Sequence, residues 1–218
     1  MENSWAVYGI GFLAQLLFSA RTLVQWIKSE KSRTVQSPSS YWILSVAGSY
    51  LFMIYGWLRN DFAILFGQFL SYYIYLWNLG WKGIWQKTGL LLKALLLLTP
   101  PAAVFFVLKA DAAAAVARFL PDDQIPLPLM ICGVAGQMIF TFRFVYQWIF
   151  SSRRKESLLP AGFWIISLLG SAIIIVYGIF RCDPVLILGQ SFGLVAYLRN
   201  IMIGHGRRTK RKKGEPEK

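Results

Sequence analysis

Long apolar stretches broken by short polar turns set the pattern of this chain. The stretches fall at 5–27, 40–58, 62–80, 88–108, 128–150, 160–180 and 184–203. A helix of about 20 mainly apolar residues spans the hydrocarbon of a bilayer, and each stretch reaches or approaches that length. Backbone amides facing lipid must bond within their own segment, which selects helices. A transmembrane β-barrel needs alternating strands of about ten residues, and the run LLLKALLLL at 90–98 does not alternate. The pattern predicts an all-α membrane protein with seven transmembrane helices.

Composition agrees. Of the 218 residues 56% are hydrophobic, 16% aromatic and only 15% charged, with a mean hydropathy of +0.49. Soluble domains carry about a quarter charged residues, so a water-soluble enzyme is excluded. The net charge of +13 would suggest nucleic acid in a soluble protein, but its distribution points elsewhere. Sixteen Lys and Arg residues lie on one side, in the turns after the first, third and fifth stretches, at Lys93 near the start of the fourth stretch and in the tail, against four (Arg59, Lys109, Arg118 and Arg181) in the alternate turns. The alternate side also holds six acids, Glu2, Asp61, Asp111, Asp122, Asp123 and Asp183. Lys and Arg favour cytoplasmic loops, so the N-terminus is expected outside and the C-terminus in the cytoplasm. The first stretch is read as a retained helix, because Glu2 stands where a signal peptide is basic and no A-x-A-like site follows.

The chain also repeats itself. Shifted by 122 positions, residues 11–78 align with 133–200 without a gap, and 23 of the 68 pairs are identical. The identities include polar positions that shared membrane composition would not produce: Gln15/Gln137, Arg21/Arg143, Gln25/Gln147, Ser45/Ser167, Arg59/Arg181, Asp61/Asp183, Gln68/Gln190 and Asn78/Asn200. Each unit holds three helices, an odd number, so units in direct succession would be inverted. The fourth stretch, which contains Pro100-Pro101 and has no partner in the repeat, restores parallel orientation as a topological linker. The expected organisation is a first repeat over 1–82, a linker helix and outer loop over 83–127, a second repeat over 128–203 and a basic cytoplasmic tail over 204–218. In such a 3+1+3 plan a site is expected on the pseudo-twofold between the halves.

The strings GFLAQLLFSARTLVQWIKSEKS, YWILSVAGSYLFMIYGWLRND and FGQFLSYYIYLWNL, with their second copies GQMIFTFRFVYQWIFSSRRKES, PAGFWIISLLGSAIIIVYGIFRCDPVLILGQ and YLRN, resemble the lipid A biosynthesis N-terminal domain family. The layout is also similar to that of the PQ-loop, SWEET and SemiSWEET superfamily, although Val24-Gln25 and Tyr146-Gln147 stand where that superfamily has Pro-Gln. The resemblance implies a multi-pass protein of the bacterial inner membrane that serves lipid A or cell-envelope glycolipid synthesis. Only a basic tail follows residue 203, so the glycosyltransferase activity of lipid-A-disaccharide synthases is not carried over.

Arg21 and Arg143 are the sharpest candidates. A charge at a helix centre is costly, about 2.5–3.5 kcal/mol on insertion scales, and marks a functional position by default. At 100° per residue Gln15, Phe18, Arg21 and Gln25 share an arc of about 120°, and Gln137, Phe140, Arg143 and Gln147 repeat it. A guanidinium fork suits phosphate or carboxylate, so an anion site is expected. The alternatives are a structural bond to a neighbouring helix, or snorkelling over roughly 9 Å to the cytoplasmic helix end. Gln68, Ser71, Tyr72, Tyr75 and Asn78 share a face of the third helix; Gln68 and Gln190 either line a cavity or bond between helices. Arg59 and Asp61, with Arg181 and Asp183, occupy tight outer turns, where the acids cap the following helices or form an ion-pair gate across the halves. Gly48-Ser49 and Gly170-Ser171 suit close helix packing.

Enzyme chemistry finds little footing. His205 lies in the tail, Cys132 and Cys182 are isolated, and no intramembrane carboxylate is expected for acid–base work. No cofactor, metal site or nucleic-acid partner is expected. The leading expectation is a non-enzymatic transporter or flippase that binds and translocates an anionic lipid-linked sugar or polyprenyl phosphate. Its basic tail would meet anionic lipids. A SWEET-like facilitator for a soluble sugar and an accessory subunit of a membrane glycosyltransferase are the alternatives.

Overall fold

A computed structural model describes residues 3–117 and 126–212. Described residues form eight helices and no strand: α1 (Asn3–Ser32), α2 (Ser39–Leu58), α3 (Phe62–Trp81), α4 (Ile84–Lys87), α5 (Leu90–Ala117), α6 (Leu127–Arg154), α7 (Ala161–Phe180) and α8 (Pro184–Lys212). Every apolar stretch of the sequence lies within a helix to within two residues at its ends. Four helices, over Trp5–Ser32, Ser39–Leu58, Ala161–Phe180 and Pro184–His205, are long and apolar enough to cross a membrane, and Leu90–Phe106 is a shorter apolar helix. The predicted loop at 109–127 is partly helical, because α5 runs on to Ala117 past an extended residue at Asp111. The expected tail is helical to Lys212 as part of α8. Arg118, Asp122, Asp123 and the end of the tail, Lys213 to Lys218, lie outside the described residues.

The repeat is visible in the helix ends. Helix α2 closes with Asn60 in the left-handed region (φ 52°), and α7 closes with Cys182 at φ 48°. In both, the amide of the next residue reaches back five positions, Asp61 N to Gly56 O at 2.9 Å and Asp183 N to Gly178 O at 2.9 Å. This is the Schellman geometry, which satisfies carbonyls that a helix end otherwise leaves bare. The same two acids then start the next helices. Asp61 accepts from Ile64 N at 3.0 Å, and Asp183 accepts from Val185 N at 3.0 Å and Leu186 N at 3.3 Å. A two-residue turn thus stops one helix and caps another, in both halves.

Helices α1, α2 and α3 pack in sequence, as do α6, α7 and α8, and the halves meet where α1 lies on α8 and α3 on α6. Aromatic side chains fill the centre. Trp42 packs on Tyr75 at 6.0 Å between centroids, and its repeat mate Trp164 packs on Tyr197 at 5.9 Å. Tyr75 crosses to Phe144 of the other half, edge to face at 4.7 Å. Such pairs add about 0.5–1.5 kcal/mol beyond the area they bury.

Helix α5 is held differently. Pro100 and Pro101 lie inside it, and a proline cannot donate to the carbonyl four residues earlier. The carbonyls so released belong to Leu96 and Leu97. Tyr72 Oη donates to Leu96 O at 2.8 Å and Tyr73 Oη to Leu97 O at 3.1 Å, so α3 completes the broken ladder of α5. Tyr72→Phe together with Tyr73→Phe is expected to lower stability by about 2 kcal/mol, since bare carbonyls away from water cost about 1–3 kcal/mol each. Thermal unfolding in detergent measures this, and the fully buried Tyr72 should carry most of the loss.

Candidate functional site

Between the halves lies a narrow cavity of about 30 Å³, lined from both repeats by Arg21, Arg143, Gln15, Gln68, Gln137 and Gln190 together with Phe18, Phe140 and Phe144. Its volume holds about two waters. Helices α1 and α6 each send a Gln and an Arg, six residues apart, into it from one broad face.

Neither arginine snorkels. Arg21 is 4% exposed and Arg143 1%. Arg21 Nη1 donates to Ser45 Oγ on α2 at 2.7 Å. Arg143 Nη1 donates to Ser167 Oγ at 3.2 Å and Tyr197 Oη at 3.1 Å. These neighbours are neutral, and among the described residues no carboxylate lies within ion-pair distance of either guanidinium. Rings surround both charges: Phe18 at 4.4 Å from Arg21 Cζ and Phe140 at 3.4 Å from Arg143 Cζ. Phe144 serves both, at 5.5 Å and 4.5 Å respectively, so the two cations share one ring. Each Nε is buried without a partner.

The glutamines divide into two sets. Gln15 packs against Gly189 of the opposite half, and a Cβ on that glycine would collide with its amide. Gln137 mirrors it against Gly67, where a Cβ would stand 2.9 Å from Nε2 and 2.6 Å from Thr141 Oγ1. The Gly-Gln pairs of the third helices therefore admit the glutamine of the facing first helix and put their own amide beside it. Ser171 Oγ donates to Gln190 Oε1 at 2.8 Å, whereas Ser49 Oγ donates to the backbone oxygen of Gln68 at 3.1 Å and Gln68 Oε1 is left unbonded.

Gln25 and Gln147 do not line the cavity. They form a clasp toward the end where α1 and α6 finish. Gln25 and Asn200 exchange two hydrogen bonds, at 2.8 and 3.1 Å, and Gln147 and Asn78 exchange two at 3.0 and 3.1 Å. Each pair joins the first helix of one half to the third helix of the other. Glu30 and Arg199 add a bidentate ion pair between α1 and α8, at 2.6 and 2.9 Å.

At the opposite end Arg59 Nη2 stands 3.7 Å from Asp183 Oδ2 across the halves. Tyr55 Oη donates to the same oxygen at 2.9 Å. The expectation that no carboxylate is buried is thereby corrected. Asp183 is 4% exposed, because the turn that it caps is roofed by the other half, which a single sequence does not display. Asp61, its repeat mate, caps α3, and Arg181, the repeat mate of Arg59, is half-buried.

Several partners escaped the sequence reading. Ser45 and Ser167 stand 24 residues beyond each arginine in both repeats, a periodic signal that could have been used. Phe144 replaces Thr22 of the first copy, Arg199 replaces Trp77 and Glu30 faces Ser152 in the repeat. These positions break the symmetry, so the repeat says nothing of them.

The family model described as the Lipid A Biosynthesis N-terminal domain matches residues 10–80 and 132–202. The chain belongs to the lipid A biosynthesis N-terminal domain family. Its two matched segments are the two repeats, and with four membrane-length apolar helices they describe a membrane protein built from tandem copies of that domain. Among curated relatives, the lipid-A-disaccharide synthase of Chlamydia pneumoniae is 31% identical over 202 residues, covering 91% of this chain and 33% of that protein. The lipid-A-disaccharide synthase of Chlamydia caviae is 29% identical over 205 residues, covering 90% and 33%. That of Chlamydia trachomatis serovar D is 27% identical over 212 residues, covering 90% and 34%. The chain thus spans about a third of the length of these relatives. No solved structure matches it.

Proposed function

We propose that this protein binds an anionic lipid-linked sugar or polyprenyl phosphate between its two repeats and moves it across the bacterial inner membrane, in the service of lipid A or envelope glycolipid synthesis. In this reading the bundle spans the membrane seven times in a 3+1+3 plan, with its N-terminus outside and its basic tail in the cytoplasm. The observation that carries it is the pair Arg21 and Arg143, both buried beside a polar cavity with neutral partners alone. A buried ion without a counter-charge is penalised by several kcal/mol; the rings around each guanidinium offset this at about 0.5–2 kcal/mol each, but they leave both Nε–H groups without an acceptor. An anionic ligand supplies that acceptor. Gln15, Gln68, Gln137 and Gln190 supply amides to its remaining oxygens. Two closures flank the site, the Gln–Asn clasp at one end and Arg59–Asp183 at the other, as passage in steps requires.

Native mass spectrometry of the purified protein with its co-purifying lipids tests this. Wild type is expected to retain a phosphorylated lipid, and Arg21→Gln with Arg143→Gln is expected to lose it by at least about tenfold, the factor for 1.4 kcal/mol. Unchanged retention in a folded double variant refutes the assignment, and a ligand-free wild type refutes the lipid.

A second reading draws on the relatives, which carry this segment within chains about three times as long that are named lipid-A-disaccharide synthase. There the bundle presents a lipid to a glycosyltransferase. Removing residues 204–218 would then abolish the partner's activity while leaving lipid retention intact.

A further inference from the structure

The charge of the preferred head group follows from the charge of the site. Resting on the reading that the cavity takes an anionic lipid, we propose that the arginine pair selects a doubly charged phosphate head group, a phosphomonoester or diphosphate, over a singly charged phosphodiester.

Both cations lie against one ring, with Phe144 5.5 Å from Arg21 Cζ and 4.5 Å from Arg143 Cζ. A guanidinium does not shed its proton in proteins, so neither charge is relieved by titration. The hydrogen-bond partners that the arginines have are the hydroxyls of Ser45, Ser167 and Tyr197, all uncharged. Among the described residues no acid pairs with them. Both Nε–H groups are buried and unpartnered. Among the described residues the site therefore has two positive charges with no acid to balance them, together with an unpartnered Nε–H on each.

Occupancy by a phosphodiester, with one negative charge, leaves one buried cation uncompensated. A phosphomonoester carries about −1.5 to −2 at neutral pH and leaves the site close to neutral. Its additional terminal oxygen also offers an acceptor to the second unpartnered Nε. In an interior of low dielectric the matched charge favours the dianion, against its larger desolvation cost. The distinction is one of charge and donor count, and so it applies whether the phosphate arrives on a lipid or free in solution.

The test is a lipid competition on the full chain in detergent at pH 8, read by native mass spectrometry. Dioleoyl phosphatidic acid and dioleoyl phosphatidylglycerol, equal in chains and differing in head-group charge, are added in equal amounts. The wild type is expected to favour phosphatidic acid by about tenfold or more, equivalent to 1.4 kcal/mol. Arg143→Gln, which leaves one cation, is expected to bring the ratio close to one. Equal retention of the two lipids by wild type overturns the charge preference and leaves anion binding standing, whereas retention of neither overturns the binding reading itself. Because the wild-type ratio decides, the result does not depend on the variant folding. Adding inorganic phosphate to the phosphatidic acid complex separates the sources. Displacement supports a dianion recognised without its chains, and persistence supports one recognised as a lipid.

Discussion

Asn78→Leu is expected to lower the stability of the detergent-solubilised protein by about 3 kcal/mol. Asn78 exchanges two hydrogen bonds with Gln147, accepts from Ser157 Oγ at 2.7 Å and donates to Ile74 O at 2.9 Å. Interhelical hydrogen bonds in membranes are worth about 0.6 kcal/mol on average and up to about 1.7, so lost attraction alone falls short of the estimate. The rest comes from what remains. Gln147 is fully buried, and its carbonyl oxygen would lose the Asn78 donor, at about 1–3 kcal/mol. The same logic predicts rescue. Gln147→Leu in the Asn78→Leu background removes the orphaned amide, so the double variant should lose much less than the sum of the singles. Thermal unfolding of the four proteins in a double-mutant cycle measures the coupling, expected at about 1–3 kcal/mol. Additive losses would show that the two amides act independently.

Asp183→Ala is expected to cost about 3 kcal/mol as well, by another route. The carboxylate caps α8 through Val185 N and Leu186 N, receives Tyr55 Oη and faces Arg59. Losing a cap costs about 1 kcal/mol, and stranding the Tyr55 hydroxyl, whose residue is fully buried, adds about 1–3 kcal/mol. Arg59→Ala should cost much less, because Asp183 keeps three donors and Arg59 is itself partly exposed at 27%, where ion pairs contribute about 0–1 kcal/mol. If both variants unfold at one temperature, the acid acts through the ion pair alone and not through the cap and Tyr55. Asp183 also ties α2 of the first half to the start of α8. Its loss should therefore raise the labelling rate of a cysteine at Gln15 by a water-soluble thiol reagent, with Arg59→Ala intermediate.

How far the sequence reached depended on symmetry. Helix positions followed from apolar runs, and the doubled site from identities such as Arg21/Arg143 and Gln68/Gln190, because a repeated polar residue in an apolar segment has few explanations. Gln25 and Gln147 satisfied the same criteria as Gln15 and Gln137 and lie elsewhere. One helical face runs from cavity to clasp, and sequence spacing does not say which partner each turn meets. The symmetric serines Ser45 and Ser167 were within reach of the repeat. Phe144, Glu30 and Arg199 were not, since each differs from its counterpart in the other copy.

By itself, then, the sequence determined local matters: where helices run, where the Asp61 and Asp183 turns fall, that the chain is two copies of one three-helix unit, and which family it belongs to. Hydrophobic period, capping residues and repetition are all written along the chain. Only the tertiary structure decided which charges share a space. Arg21 and Arg143 are 122 positions apart and meet at one ring, while Asp183, a turn residue by sequence, is buried under the opposite half. Burial and proximity are properties of the packed interface between repeats, and packing depends on side-chain shapes from both halves at once.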